Sequence, residues 1–220
     1  MGLGNEIKDK LAKRAALEVK EHMIVNLGIG IPSLVPNHLP TGVPVVFQSE
    51  NGIIGIGPAP GEGQEDENLC NAGGYPVSLM KGGCYTDSSI AFAMIRRGKV
   101  DLTILGSLQV SEKGDLANWI IPGKKVPGMG GATELASKAK RVIVLMTHLD
   151  KKGGSKIVQE CTLPLTTRSC VSMIITDRAV FTIEDGRLIL KELFNPYTLQ
   201  DIEETTEARY TLGPAIKYID

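Results

Sequence analysis

Apolar residues at helical spacing mark the covered faces of the predicted helices. In the first of these, Ile7, Leu11, Ala15 and Val19 recur at every fourth position, with charged residues over much of the remaining surface. We expect helices in four segments: Asn5 to Glu21 with Asn5 as its cap, Asp87 to Arg97, Ala132 to Lys140, and a final helix capped by Thr198 with Asp201 three residues on. A short helix begun by Pro32 is predicted as well.

Short runs of apolar residues alternate with these helices and predict buried strands. The runs are Met23 to Leu27, Val43 to Gln48, Leu102 to Val110, Val142 to Met146 and Met173 to Thr176, followed by a hairpin of Val180 to Ile183 with Leu188 to Leu190 that turns at Asp185-Gly186. This alternation predicts an α/β fold: an open, mostly parallel sheet covered by helices, with a small antiparallel addition. Neither a linker nor a repeat interrupts the chain, so we expect a single domain over residues 1–220.

Two segments do not fit the alternation of strands and helices. Gly55 to Gly83 and Gly114 to Gly131 are rich in glycine and proline, and both are much longer than the ordinary connection of about 4 to 6 residues. Glycine is abundant overall, at 25 residues, and it permits a ligand to approach the backbone closely. We therefore expect functional loops near both segments.

The charge balance narrows the classes of partner. The chain contains 24 Lys+Arg and 25 Asp+Glu, and neither sign of charge forms a long run. The basic run typical of nucleic-acid binding is therefore missing from the sequence. No stretch approaches the ~18 consecutive apolar residues of a membrane span, and the first twenty residues are charged where a secretory signal is apolar. The four cysteines form no CxxC pair, which argues against a disulfide framework or structural metal. We expect a cytoplasmic protein whose partners are small molecules or proteins, with no nucleic acid and no membrane.

The usual catalytic motifs are missing from the sequence, which contains no GxGxxG, GxSxG, P-loop or HExxH pattern. The three histidines lie far apart, and a structural role is the simpler interpretation of each: His22, His38 and His148. Among them His148 is the best candidate, because it ends a buried strand where open α/β sheets bind ligands. Beyond it, Lys151 and Lys152 are suited to phosphate, although a solvated loop charge is the more frequent explanation of such residues.

Glu50 also follows a predicted strand, and Asn51-Gly52 lets the backbone turn sharply after it. A carboxylate with an ordinary pKa of ~4.3 is anionic at neutral pH and can act as a covalent nucleophile without a partner base. Attack on a carbonyl creates an oxyanion, and glycine-rich turns at 26–30 and 128–131 can supply backbone donors for it. The alternatives are a solvated or capping glutamate and glycine turns that serve only packing.

Five strings, taken together and in this order, resemble the β subunit of the family I coenzyme A transferases, of the 3-oxoacid and butyrate/acetoacetate type. They are Val25-Asn-Leu-Gly-Ile-Gly-Ile-Pro32, Ser49-Glu-Asn-Gly-Ile-Ile-Gly-Ile-Gly-Pro58, Gly114-Asp-Leu-Ala-Asn-Trp-Ile-Ile-Pro-Gly123, Gly128-Met-Gly-Gly-Ala132 and Cys161-Thr-Leu-Pro-Leu165. The resemblance covers nearly the whole chain.

The resemblance implies that CoA moves between an acyl-CoA and a carboxylic acid by ping-pong chemistry. Glu50 would attack the thioester and pass through an acyl-glutamyl anhydride to a glutamyl-CoA thioester. By analogy, the backbone amides of Asn26 and Gly131 would bind the oxyanion. Coenzyme A is then a substrate, and no permanently bound cofactor is implied.

The resemblance further implies contacts for CoA and a partner. Gly28, Gly30 and Gly130 belong to the two turns that would approach CoA, and the family's CoA-binding lysine would fall near Lys151, which is a looser match. The implied partner is a separate α subunit of related α/β fold, so that the enzyme is a hetero-oligomer.

One position departs from the family pattern. Acetoacetate-using relatives have a lysine after Asn-Ala-Gly, whereas here Gly74 follows Asn71-Ala72-Gly73. The loss of that cation leaves a 3-oxoacid substrate open to question, with a short-chain acid as the other choice. Two other functions remain open at this point: a non-catalytic ligand-binding or subunit-interaction module of the same fold group, and a sugar-phosphate isomerase that uses a carboxylate base.

Overall fold

The computed structural model describes residues 4–123, 126 and 128–220. These residues contain four α-helices, α1 (Asn5–Ala16), α2 (Ser88–Arg96), α3 (Ala132–Lys138) and α4 (Leu199–Thr205), together with a 3₁₀ helix over Ile31–His38. Lys124, Lys125 and Pro127 of the predicted irregular segment lie outside the described residues, as do residues 1–3 of the charged N-terminal segment. Within the described ranges, none of these helices has the length and hydropathy needed to cross a bilayer.

Ten strands form the main sheet in the order β13-β12-β11-β10-β8-β5-β1-β2-β3-β4, and three short strands form a second sheet in the order β7-β6-β9. Their bounds are β1 Ile24–Leu27, β2 Val46–Ser49, β3 Ile53–Ile56, β4 Leu79–Tyr85, β5 Leu102–Gly106, β6 Gln109–Ser111, β7 Leu116–Ala117, β8 Arg141–Leu145, β9 Ile157–Val158, β10 Met173–Ile175, β11 Ala179–Glu184, β12 Arg187–Phe194 and β13 Thr211–Ile219.

The centre of the main sheet, β10-β8-β5-β1-β2, is parallel throughout, and antiparallel pairs join it on both sides. The predicted α/β architecture is therefore confirmed, including the hairpin of β11 and β12. The antiparallel part is larger than the sequence suggested, because β3 and β4 extend the sheet beyond β2.

Both faces of the parallel centre are buried, as such sheets require. Successive residues of β8 illustrate this: Ile143 packs with α1 and the 3₁₀ helix on one face, whereas Val144 packs with the core around Phe181 on the other. On the side of β1, Ile24 packs against Ile95 and Leu135, so α2 and α3 cover that face. Asn26 lies two residues after Ile24 and points to the same face.

The first helix differs from its prediction at both ends. Gly4 occupies the N-cap position without a side-chain cap, and Asn5 is the first helical residue rather than the cap. The helix ends at Ala16 instead of Glu21, where Leu17, Glu18 and Val19 each donate to the carbonyl three residues earlier. These hydrogen bonds form a tighter turn that places Val19 in the core. Tertiary packing therefore ends the helix earlier than the apolar pattern predicts.

Two further predictions are corrected. The strand expected over Leu102 to Val110 is divided, because Ser107 donates from its hydroxyl to the carbonyls of Gln109 and Ala117 and β6 joins the second sheet. The segment Gly55 to Gly83 is not irregular throughout: its ends pair as β3 and β4, and Gly55 lies so close to Gly83 that a side chain would not fit. The final strand, β13, had no clear apolar run and was not predicted.

Candidate active site

Glu50 lies in the turn that follows β2, at the carboxyl edge of the parallel strands. The turn is tight because Gly52 has a φ of 112° and donates from its N–H to the carbonyl of Ser49 at 3.0 Å. A Cβ at Gly52 would overlap the carbonyl oxygen of Thr86, whose own N–H donates to the carbonyl of Gly52 at 2.8 Å. Only glycine fits between this turn and the start of α2, and this close packing fixes the backbone next to Glu50.

Asn26 on β1 presents its side-chain amide to Glu50, with Nδ2 lying 3.3 Å from Glu50 Oε2. The backbone of Asn26 is in register with Gln48 on β2 and with Thr103 on β5. Residues inside a strand paired on both sides use their N–H groups in the ladder. The donor that Asn26 offers to Glu50 is therefore its side chain. The role expected of its backbone amide, as a donor to a substrate oxyanion, stays a prediction.

Gly131 approaches Glu50 from the side of α3. It is buried at the N-cap position of that helix, and a Cβ added there would lie 3.3 Å from Glu50 Cγ and 3.3 Å from the ring of Phe92. The structure thus brings three residues predicted from distant segments, Asn26, Glu50 and Gly131, into one place. The absence of a side chain at Gly131 leaves room for the Glu50 side chain.

The remaining predicted residues form no hydrogen bond to Glu50 in the described part of the chain. Gly28 donates from its N–H to Ile104 O on β5 at 2.8 Å. A Cβ at Gly28 would lie 3.2 Å from that oxygen, so a glycine here also allows close packing against β5. Gly30 opens the 3₁₀ helix with a φ of 88°, and Gly130 is exposed with a φ of 51°. Lys151 is exposed in a turn closed by Asp150, so its contact with CoA stays a prediction.

A loop over residues 70–75 borders Glu50 and was not singled out for its contacts. Ser49 Oγ accepts from Ala72 N at 3.1 Å, and Asn51 Nδ2 donates to Cys70 O at 2.7 Å. Ser49 and Asn51 flank Glu50 on either side along the chain, so the loop is attached directly to the turn that carries the carboxylate. Gly74 in this loop has a φ of 77° and open space around it.

Three residues near the site were also missed: Gln48 and Thr103, which are buried, and Phe92, which is half-buried. The signal for Gln48 was available, because a polar residue two positions before Glu50 in a strand points to the same face. Phe92 could be predicted only as an apolar residue of α2. Nothing in the sequence places its ring next to Gly131.

His148 follows β8 at the same edge of the sheet, but its ring is fully buried. Nδ1 lies 3.1 Å from Thr176 Oγ1, and Nε2 lies 3.0 Å from Thr206 Oγ1. Burial, with a smaller contribution from Arg178, lowers the pKa of His148 to about 4. The structural interpretation of this histidine fits these contacts.

Comparison with known proteins supports the resemblance independently. The coenzyme A transferase family matches residues 8–205. The chain belongs to the coenzyme A transferase family. A probable coenzyme A transferase β subunit of Bacillus subtilis is 59% identical over 94% of this chain and 96% of its own length. One subunit of a probable succinyl-CoA:3-ketoacid coenzyme A transferase from the same organism is 50% identical over 96% of this chain and 98% of its own length. The acetate CoA-transferase β subunit of Escherichia coli is 44% identical over 94% of this chain and 95% of its own length.

Solved structures agree with the fold. The acyl-CoA transferase YdiF of Escherichia coli O157:H7 superposes with a TM-score of 0.78 at 20% identity, over 100% of this chain and 44% of the YdiF chain. The decarboxylase AibA/AibB superposes with a TM-score of 0.70 at 19% identity over 97% of this chain and 88% of that one. At such identities these likenesses establish the fold alone, and the site residues have to carry the chemistry.

Proposed function

We propose that this coenzyme A transferase family member is the catalytic β subunit of a two-subunit CoA transferase, with Glu50 as the covalent nucleophile. The observation that carries the proposal is the placement of Glu50 between the side-chain amide of Asn26 and the open backbone at Gly131. Two relatives that this chain covers almost completely are named as β subunits, which supports an α subunit as the partner.

The first half-reaction starts when a carboxylate oxygen of Glu50 attacks the carbonyl carbon of an acyl-CoA thioester. The C–S bond breaks, CoA leaves as a thiolate, and an acyl-glutamyl anhydride forms. The thiolate then attacks the glutamyl carbonyl carbon, so that the donor acid leaves as a carboxylate and a glutamyl-CoA thioester remains. Neither step transfers a proton, which is consistent with a site in which the hydrogen-bond partner of Glu50 among the described residues is an amide rather than a base.

The second half-reaction reverses these bonds with a new acid. The incoming carboxylate attacks the glutamyl thioester, expels the CoA thiolate and forms a second anhydride. Attack of the thiolate on the new acyl carbonyl carbon gives the new acyl-CoA and restores the Glu50 carboxylate. The bonds broken and formed are nearly equal in free energy, so the enzyme has to supply positioning and oxyanion stabilisation.

The roles of the surrounding residues follow from their positions. The Asn26 side-chain amide orients the Glu50 carboxylate, and the backbone amide of Gly131 is the proposed oxyanion donor, supported by its position beside Glu50. The turns with Gly28, Gly30 and Gly130 and the exposed Lys151 form the approach for CoA. Water has to be kept from the anhydride and the thioester, which gives the α subunit a chemical role in covering the site. Short-chain and 3-oxo acids are the acid substrates we propose, in the cytoplasm.

Borohydride trapping tests the nucleophile. The chain, in complex with its α subunit, is incubated with an acyl-CoA, reduced, digested and mapped by mass spectrometry. We expect the Glu50 side chain to be converted to an alcohol in the peptide that contains it. The complex with Glu50→Gln should carry no such modification.

The alternatives give different results in the same experiment. A binding or subunit-interaction module would bind acyl-CoA without exchange and without label at Glu50. If Glu50 were the base of an isomerase, incubation with acyl-CoA and reduction would leave Glu50 without any covalent change. A complex that exchanges CoA with ping-pong kinetics but is labelled at another residue would show that the nucleophile is assigned wrongly.

A further inference from the structure

Three polar side chains lie in a row directly beneath Glu50, on the face of the sheet that α2 and α3 cover. Gln48, Asn26 and Thr103 are register partners on β2, β1 and β5. Their exposed fractions are 2%, 1% and 0%. We refer to these three residues as the polar row. In the interior of a parallel sheet these positions are normally apolar.

Each member of the polar row has a buried polar atom without a hydrogen-bond partner among the described residues: Gln48 Nε2, Asn26 Oδ1 and Thr103 Oγ1. Buried polar groups with unmet hydrogen bonds destabilise a fold, and each such group in a native structure calls for an explanation. Valine or leucine would occupy a similar volume without that cost. The two amides of the row, Asn26 and Gln48, also contact each other, and they therefore point to a function that requires amide groups here.

The contacts of Asn26 identify that function. Its Nδ2 carries two hydrogens and faces three acceptors: Gln48 Oε1 at 2.9 Å, Gln48 O at 3.1 Å and Glu50 Oε2 at 3.3 Å. The shortest of these contacts is to the side-chain oxygen of Gln48. This oxygen keeps the NH₂ group of Asn26, rather than its oxygen, turned toward Gln48 and Glu50.

The opposite orientation of the two amides would be unfavourable for a nucleophile. If Gln48 turned Nε2 toward Asn26, two NH₂ groups would oppose each other and Asn26 would have to rotate. Rotation would bring Asn26 Oδ1 against the Glu50 carboxylate, where like partial charges repel. The side-chain oxygen of Gln48 thus acts together with the backbone carbonyl of Gln48 to keep a donor, rather than an acceptor, turned toward Glu50.

We propose that Gln48 is a positioning residue, which acts through Asn26 to hold the Glu50 carboxylate in its attacking geometry. This inference rests on the proposed function, because it concerns the rate at which Glu50 attacks a thioester. A misplacement of reacting groups by about 1 Å can cost about 100-fold in rate. The backbone carbonyl of Gln48 still orients Asn26 in part, so the expected loss is smaller.

Two substitutions separate positioning from a merely structural role, and both are made in the complex with the α subunit. Gln48→Met keeps the length of the side chain and removes the amide; we expect kcat to fall about tenfold with KM within about twofold. Gln48→Glu keeps an acceptor for Asn26 and adds a charge beside Glu50. It should retain more of kcat at high pH than Gln48→Met, and the acid limb of its pH profile should move upward by about one pH unit.

Thr103→Val is the matched control, because it removes a buried hydroxyl of the same row while leaving the three contacts of the Asn26 amide in place. It should change the rate per active site, counted by borohydride labelling, by less than about twofold. If Gln48 served only stability, Gln48→Met and Gln48→Glu would lower thermal stability but leave the rate per labelled site at high pH unchanged. That result, in a wild-type complex that exchanges CoA and labels at Glu50, would overturn this inference and leave the proposed function intact. Absence of exchange in the wild type would instead count against the proposed function.

Discussion

The ends of β2 and β8 offer two titratable side chains at the same edge of one parallel sheet, yet they differ in what surrounds them. Glu50 after β2 is partly exposed, and its carboxylate has one long contact to an amide and a glycine beside it. His148 after β8 is fully buried, and both of its ring nitrogens face threonine hydroxyls.

The comparison shows that a position at the carboxyl edge of the sheet is not sufficient for chemistry. A reactive group needs lone pairs that are not already bound and space in which a substrate can approach. Glu50 has both, because Gly131 supplies the space. His148 has neither, and burial lowers its pKa to about 4, so the ring is neutral at pH 7.

Glu50→Gln gives the largest expected effect. The amide cannot act as the anionic nucleophile, so the exchange rate of the complex should fall by about 10³-fold or more. Steady-state exchange between an acyl-CoA and a labelled acid measures this. Binding to the α subunit, measured by size-exclusion chromatography, should stay unchanged. If Glu50→Gln kept more than about a tenth of normal activity, Glu50 would not be the nucleophile, and the contrast with His148 would no longer hold.

Gly131→Ala tests the space beside the proposed nucleophile, Glu50. The new methyl group would lie 3.3 Å from Glu50 Cγ and from the ring of Phe92, which is closer than a relaxed contact, so the carboxylate or the ring has to move. We expect kcat to fall about 10- to 100-fold. Gly106→Ala is the control, because a Cβ there meets nothing within 4 Å among the described residues. Equal rates in both variants would show that the space at Gly131 is not required.

Gly74→Lys tests the loop that is attached to the Glu50 turn. If the added cation can reach the acid substrate, kcat/KM for 3-oxo acids should rise about 3- to 10-fold relative to Gly74→Ala. Both variants carry the same backbone strain at a φ of 77°, about 1 kcal/mol, so their difference isolates the charge. Competition between 3-oxo and simple short-chain acids provides the measurement, and identical preferences would place position 74 outside the acid site.

His148→Gln should have the smallest effect on exchange, within about twofold per active site. The substitution should instead change the free energy of unfolding and its dependence on pH. Because the pKa of His148 is lowered to about 4 in the folded state, the unfolded chain binds a proton first as the pH falls. The contribution of the neutral His148 ring to the free energy of unfolding is fully present above about pH 6.5 and declines toward pH 4, by up to about 3 kcal/mol.

Urea unfolding at several pH values checks this sign. The wild type should lose stability between about pH 6.5 and pH 4, and His148→Gln should show a flatter profile over that interval. A steep loss of exchange in His148→Gln at pH 7.5, with unchanged stability, would instead assign chemistry to the histidine and undo the contrast with Glu50.

The sequence was sufficient for the parallel centre of the fold and for much of the site. The apolar runs around Ile143 and Ile174 and the capping pair Thr198 and Asp201 all have local physical causes. Glu50, Asn26 and Gly131 were named from a strand end, two glycine turns and the resemblance, and the structure brings them together.

Other features depend on tertiary contacts that no local pattern encodes. The strand after Leu102 divides because Ser107 meets the carbonyl of Ala117, and α1 stops early because Val19 returns to the core. The contact between the Asn26 side-chain amide and Glu50 follows from the pairing of β1 with β2. A single sequence does not reveal which strands will be neighbours, so these outcomes were not accessible from it.

The hydrogen bond from the N–H of Thr86 to the carbonyl of Gly52 ties the turn that bears Glu50 to the residues that immediately precede α2. A movement of this edge of the sheet that separates the turn from Thr86 has to break this hydrogen bond. Hydrogen exchange at the Thr86 amide therefore reports how often the turn beside Glu50 separates from its neighbour.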